Sequence, residues 1–171
     1  MLSGMSSASP TSPVPTNELT PIELAAWRGM LRTHAALVRA LDAELEQAHA
    51  LPLSHYDVLI YLRAAPGRRL RMAELADSVL LSRSGTTRLV DRLERDGLLE
   101  RDTCDSDGRG CFAVLTDRGE ELLSKARATH LEGVRERFLN RFESAELEQM
   151  AVWWDRVLPG AAEVADLSRS D

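Results

Sequence analysis

The sequence predicts a mainly α-helical fold carrying one small β-hairpin, and three stretches of the chain predict it. Leu70 to Gly97 has the length and apolar spacing of two helices joined by a tight connection. Directly after it, two short apolar runs flank the Asp- and Gly-rich segment Asp105 to Gly110, the pattern of a hairpin. On either side, apolar residues recur at intervals of three and four, the period of a helix with one buried face. In this order the pieces make a winged helix-turn-helix held between longer helices.

Met1 to Thr20 is rich in Ser, Pro and Thr and nearly free of large apolar residues, so it cannot bury enough surface to offset the entropy of ordering and is expected to be a flexible tail. Pro21 opens a long helix whose apolar face is Leu24, Trp27, Leu31, Val38, Leu41 and Leu45. Pro52 ends the following linker. Ser54 and Asp57 have capping-box spacing, with Leu53 and Val58 placed as a hydrophobic staple, which predicts a second helix from about Ser54 to Ala64, stopped by Pro66-Gly67. Met72 to Ser78 reads as a short helix and Val79 to Leu81 as the tight connection. Ser82 is the expected N-cap of a longer helix closed by Gly97. Leu98 to Thr103 and Cys111 to Leu115 are strand-sized and form the wing. Leu122, Leu123, Ala126, His130, Val134 and Phe138 mark a further helix, and Leu147, Met150, Trp153, Trp154 and Val157 another, ended by Leu158-Pro159-Gly160. The expected organisation is one domain over residues 21–160, with a winged core at about 53–118, outer helices at about 21–48 and 117–158, and tails at 1–20 and 161–171.

Of 171 residues, 44% are hydrophobic but only 5% aromatic, so the core must be built mostly from Leu, Val and Ala, and the composition argues against single-strand binders that stack bases on a sheet. The net charge of −6 argues against nonspecific coating of nucleic acid. The charges are segregated, however: from Arg63 to Arg92 seven arginines face only Glu74, Asp77 and Asp91. No apolar run approaches the roughly 20 residues needed to span a bilayer, and the first residues lack a signal core, so a cytoplasmic protein is expected.

On the helix after Ser82, the residues Thr86, Leu89, Val90 and Leu93 share one face. Ser84, Arg88, Asp91 and Arg95 then lie roughly opposite, with Thr87 alongside. Small hydroxyls near the start of such a helix let its backbone approach the floor of a DNA groove. Arg88 can donate in a fork to guanine, and Arg83 and Arg92 at the flanks suit phosphates. Arg109, at the tip of the hairpin, is the cation that could enter a minor groove or lie against phosphates. The plain alternative is an ordinary solvated face, with Asp91 pairing to Arg88 or Arg95.

Asp107, Arg109, Leu115, Thr116 and Gly119, with Glu74-Leu75-Ala76 and Arg88 to Glu94 upstream, resemble the MarR family of bacterial transcriptional regulators over about Pro21 to Leu158. The resemblance implies that Arg109 is a minor-groove contact, that Asp107 orients the wing and that Thr116 caps the helix after it. It also implies a homodimer. The sequence supplies its own reason for one, because Trp27, Leu31, Phe138, Trp153 and Trp154 are more large apolar residues than a small winged helix can cover; the other reading is that they pack within one subunit. A symmetric dimer implies a pseudo-palindromic duplex operator with half-sites about one helical turn apart. The expected function is a sequence-specific DNA-binding regulator, a repressor released by a small-molecule effector, with no catalytic activity and no cofactor. A winged-helix protein-interaction module is the alternative.

The resemblance further implies an effector pocket between the outer helices and the DNA-binding lobe, often for phenolic or other anionic aromatic compounds, and Trp27, His34, His55 and Tyr56 are its candidate lining. Cys104 and Cys111 would be cross-strand neighbours if the hairpin were centred between Asp107 and Gly108, which makes a thiol-based redox switch a further alternative. No metal site is expected, since His34, His49, His55 and His130 are scattered and no Cys-x-x-Cys spacing occurs. Phosphate-binding Gly loops and Gly-x-Ser-x-Gly are also missing from the sequence, which argues against an enzyme.

Overall fold

The computed structural model describes residues 18–78, 83–103 and 111–161, and of Arg83, Ser84, Thr103 and Cys111 the backbone only. Among the described residues six α-helices and three strands follow one another as α1 (Pro21–His49), α2 (Leu53–Ala64), β1 (Arg69–Arg71), α3 (Met72–Ser78), α4 (Arg83–Arg95), β2 (Leu99–Thr103), β3 (Cys111–Leu115), α5 (Asp117–Arg137) and α6 (Ser144–Val157). The chain divides into two compact units, Met1–Ala35 and Ala36–Asp171.

In the first unit the start of α1 exposes every described side chain, including Ile22, Trp27 and Leu31. Thr20 caps this helix, with the Glu23 carboxylate accepting from the Thr20 backbone N–H at 2.7 Å. That bond holds the Glu23 carboxyl below its ordinary range.

The second unit contains one contiguous core, in which Leu45, Leu59, Leu62, Leu75, Val90, Leu93, Leu99 and Leu123 are fully buried. Each such side chain contributes roughly 1.5 to 3 kcal/mol by leaving water. The α4 side chains buried there are Thr86, Leu89, Val90 and Leu93, the set that the helical period puts on one face. The three strands form an antiparallel sheet in the order β1-β3-β2. Leu70, Ala113, Leu99 and Leu115 turn to the core, while Arg69, Arg71, Phe112 and Asp102 share the outer face.

Three local features differ from expectation. The helix α2 begins at Leu53, because Pro52 with φ −56° already sets the entry, so Ser54 and Asp57 do not form the capping box. The Leu53 N–H instead donates to Asp42 Oδ1 of α1 at 2.8 Å. A third strand, β1, follows the Pro66-Gly67 turn, where Gly67 and Arg68 both take positive φ and swing the chain onto β3. Finally, the hairpin register pairs Cys111 with Thr103, one residue away from the Cys104–Cys111 pairing of a hairpin centred between Asp107 and Gly108. Val79 to Ser82 and Cys104 to Gly110, and with them the Ser82 cap, Asp107 and Arg109, lie outside the described residues.

Candidate nucleic-acid interface

The positions of α4, the hairpin and α5 are set at a single junction. Past the end of α4, Gly97 takes φ +70°, which L side chains rarely adopt. There its N–H donates to Glu94 O and the Leu98 N–H to Leu93 O, both at 2.9 Å, the bonds of a Schellman ending. The Thr116 hydroxyl donates to Gly97 O at 2.8 Å and accepts from the Gly119 N–H at 3.0 Å, so one side chain closes α4 and caps α5. A Cβ on Gly119 would sit well inside contact distance of the Leu98 carbonyl oxygen and 2.8 Å from Leu115 Cδ1. The Leu115-Thr116-x-x-Gly119 spacing is therefore a packing requirement, in which only glycine lets the first turn of α5 rest on the backbone between α4 and β2.

A second fastening joins α4 to the hairpin. Arg101 of β2 donates to Asp91 Oδ1 at 2.5 Å and to Glu94 Oε2 at 2.7 Å, both on α4. Asp91 therefore does not join the outward face with Arg88 and Arg95; it is half-buried and paired to the strand. Arg101→Met should leave two carboxylates one turn apart without their shared cation. We expect a loss of about 1 kcal/mol, kept modest because the groups are partly solvated. Urea denaturation at low and high salt checks it, since the difference from the parent should shrink as salt screens the pair.

What remains outward on α4 is Thr87, Arg88, Arg92 and Arg95, all exposed. The backbone places Arg83 and Ser84 in the first turn of the same helix. Arg88 and Arg92 have no carboxylate partner among the described residues, whereas Arg63, Arg68 and Arg69 face Glu120, Asp117 and Asp102. An exposed helix face with unpaired guanidiniums, fixed to a hairpin by an ion pair and to its neighbour helix by a shared cap, has the build of a groove-reading element.

The residues expected around an effector separate. Tyr56 lines a cavity of about 270 Å³ with Asp57, Ile60, Tyr61, Arg127, His130 and Leu131, between α2 and α5. The Tyr56 and His130 rings lie 4.6 Å apart. Burial pushes the Tyr56 hydroxyl up and the His130 ring down from their ordinary values. The Asp57 carboxyl, on a side chain that is exposed overall, is pushed up to about 6 by partial desolvation. His55 lies in the core instead, 6% exposed, and burial followed by the Arg92 charge lowers its pKa. Trp27 and His34 are exposed on the first unit. In the sequence His130 falls on an apolar stripe and among four scattered histidines, and no local signal aligns that stripe, or Arg127, with Tyr56. Among the described residues no group of three or more metal-ligating side chains occurs, and none of the described helices is long and apolar enough to cross a membrane.

Residues 50–110 match the MarR family model. A MarR family transcriptional regulator from Streptomyces coelicolor, solved in complex with DNA, superposes with a TM-score of 0.79 at 34% identity, over 87% of this chain and 97% of that one. AbsC, a second MarR family regulator from that organism, gives 0.78 at 32% identity over 83% and 95%. A variant of Escherichia coli MarR complexed with operator DNA gives 0.71 at 22% identity over 84% and 100%, a likeness of fold.

Proposed function

The chain belongs to the MarR family of transcriptional regulators, and from that premise we propose that it is a cytoplasmic, homodimeric repressor of a pseudo-palindromic operator, released by a small-molecule effector. It is a regulator and not an enzyme. The observation that carries the DNA-reading part is the outward face of α4, where Thr87, Arg88 and Arg92 are exposed while Asp91 is held by Arg101. In this reading Arg88 donates in a fork to a guanine in the major groove, Ser84 and Thr87 let the helix approach, and Arg83 and Arg92 take phosphates. Arg109, beyond the described residues, enters the adjacent minor groove, oriented by Asp107.

The exposed apolar side chains support the dimer. Trp27 and Leu31 on α1, and Trp153 and Trp154 on α6, each leave two-fifths or more of their surface in water in the single chain. A second copy is the occupant with matching chemistry. Phe138 is half-buried and edge-on to Phe142. For the effector, the cavity at Tyr56 supports a compound of one ring with an acidic group, the ring lying on Tyr56 and His130 and the anion meeting Arg127. Occupancy that moved α5 relative to α2 would change the spacing of the two recognition helices and release DNA.

Binding to the intergenic DNA upstream of its own gene, measured at two salt concentrations with the parent and Arg109→Ala, tests this reading. Tight, salt-sensitive binding is expected, with the variant weaker at every sequence and its salt slope reduced by about one charge. A parent protein with no specific binding to that or other fragments would leave a protein-interaction module in its place.

A further inference from the structure

The outer face of the sheet carries a cation that neither the core nor the α4 face uses. Arg71 of β1 pairs across to Phe112 of β3, which pairs across to Asp102 of β2, so the three lie side by side on one face. This rung is next to the Thr103–Cys111 pair, from which residues 104–110 continue. Both Arg69 and Arg71 stack on the Phe112 ring, with guanidinium carbons 4.0 Å and 5.0 Å from its centroid. Their charges are then treated differently. Arg69 Nη1 is 3.4 Å from Asp102 Oδ2, which neutralises it. Arg71 is exposed and no carboxylate among the described residues pairs with its guanidinium; Glu74, its nearest acidic neighbour in sequence, accepts from the Arg71 backbone N–H at 3.0 Å.

From this geometry we propose that Arg71, braced on Phe112, is a DNA-backbone contact at the base of the wing, taking a phosphate that borders the groove the hairpin enters. The inference rests on the groove-facing reading of the hairpin given above. A stacked guanidinium keeps its edge N–H donors free, and those donors fit phosphate oxygens in a fork. The aromatic brace limits the rotamers of a long side chain, so less freedom is lost when the phosphate arrives. A phosphate contact at this place positions the protein on the duplex and carries no sequence information. Phe112 is the positioning residue.

The test compares the parent with Arg71→Ala, Arg71→Lys, Phe112→Leu and Arg88→Ala by fluorescence anisotropy on the upstream operator fragment and its single-base variants, from about 50 to 200 mM salt. Arg71→Ala should reduce the slope of log affinity against log salt by about 0.9 per bound protomer and leave the ranking of single-base variants unchanged. Arg71→Lys should keep the slope, and Phe112→Leu should weaken binding at nearly parental slope. Affinity and slope unchanged in Arg71→Ala, in a protein whose Arg88→Ala variant has lost operator affinity, would overturn the contact and leave the regulator standing. A change in base ranking in Arg71→Ala would also overturn it, since the side chain would then read a base. Failure of the parent to bind any fragment would remove both.

Discussion

Replacing Gly119 by alanine is expected to destabilise the protein by about 3 kcal/mol, the upper part of the range for forcing an extra carbon into a packed site. The added Cβ meets the Leu98 carbonyl oxygen, a backbone atom that cannot turn aside as a side chain would, and Leu115 Cδ1 at 2.8 Å. Relief requires the first turn of α5 to move away from Leu98. That movement breaks the Gly119 N–H bond to Thr116 Oγ1 and strains the Thr116 bond to Gly97 O. Urea unfolding followed by circular dichroism measures the loss. Thr116→Val, which removes both hydroxyl bonds without adding volume, should cost less, about 1 to 2 kcal/mol. A Gly119→Ala protein of parental stability would show that α5 does not need to seat this closely. A variant that remained folded should also bind DNA more weakly, because α4 and the hairpin meet at this junction.

The second large effect is expected without any loss of stability. Arg88 is exposed and has no ion pair among the described residues, so Arg88→Ala should leave the unfolding free energy within about 0.5 kcal/mol of the parent. The same change should cost about 1 to 3 kcal/mol at the operator and relax the preference at one base pair of each half-site. Anisotropy against the operator and its single-base variants reads both quantities. Unchanged affinity would remove the assigned docking of α4. A uniform loss at all sequences would move Arg88 from the bases to the phosphates. The contrast with Gly119 separates two ways of losing DNA binding: one disturbs the scaffold that aims α4, and the other removes what α4 presents.

Periodicity along the chain was enough to find α1, α4, α5 and α6, because the apolar residues of each repeat every three or four positions along one face. The end of α4 was legible for a different reason: Gly97 is a local signal, a residue that tolerates positive φ, whereas the Thr116 cap that opens α5 is implied by the family resemblance and is present in the structure. The same locality explains the misplaced cap of α2. Ser54 and Asp57 have the right spacing, but Pro52 starts the helix one residue earlier and Asp42, eleven positions before Leu53, supplies the acceptor.

The helical faces, the place of the hairpin and the arginine-bearing face of α4 follow from the order of apolar and polar residues along short stretches. What depends on pairing between distant parts follows instead from how the core assembles. Arg69-Leu70-Arg71 is too short to read as a strand until β3 offers its edge, and the hairpin register comes from seating Leu99 against Leu115. Arg101 could have paired with several carboxylates, and the crossing of β2 over α4 selects Asp91 and Glu94. Likewise Arg127 and His130 meet Tyr56 only because α5 packs along α2. The physical difference is range: a helix face is chosen by neighbours within one or two turns, whereas an ion pair, a strand register or a cavity is chosen by whichever surfaces the buried core brings together.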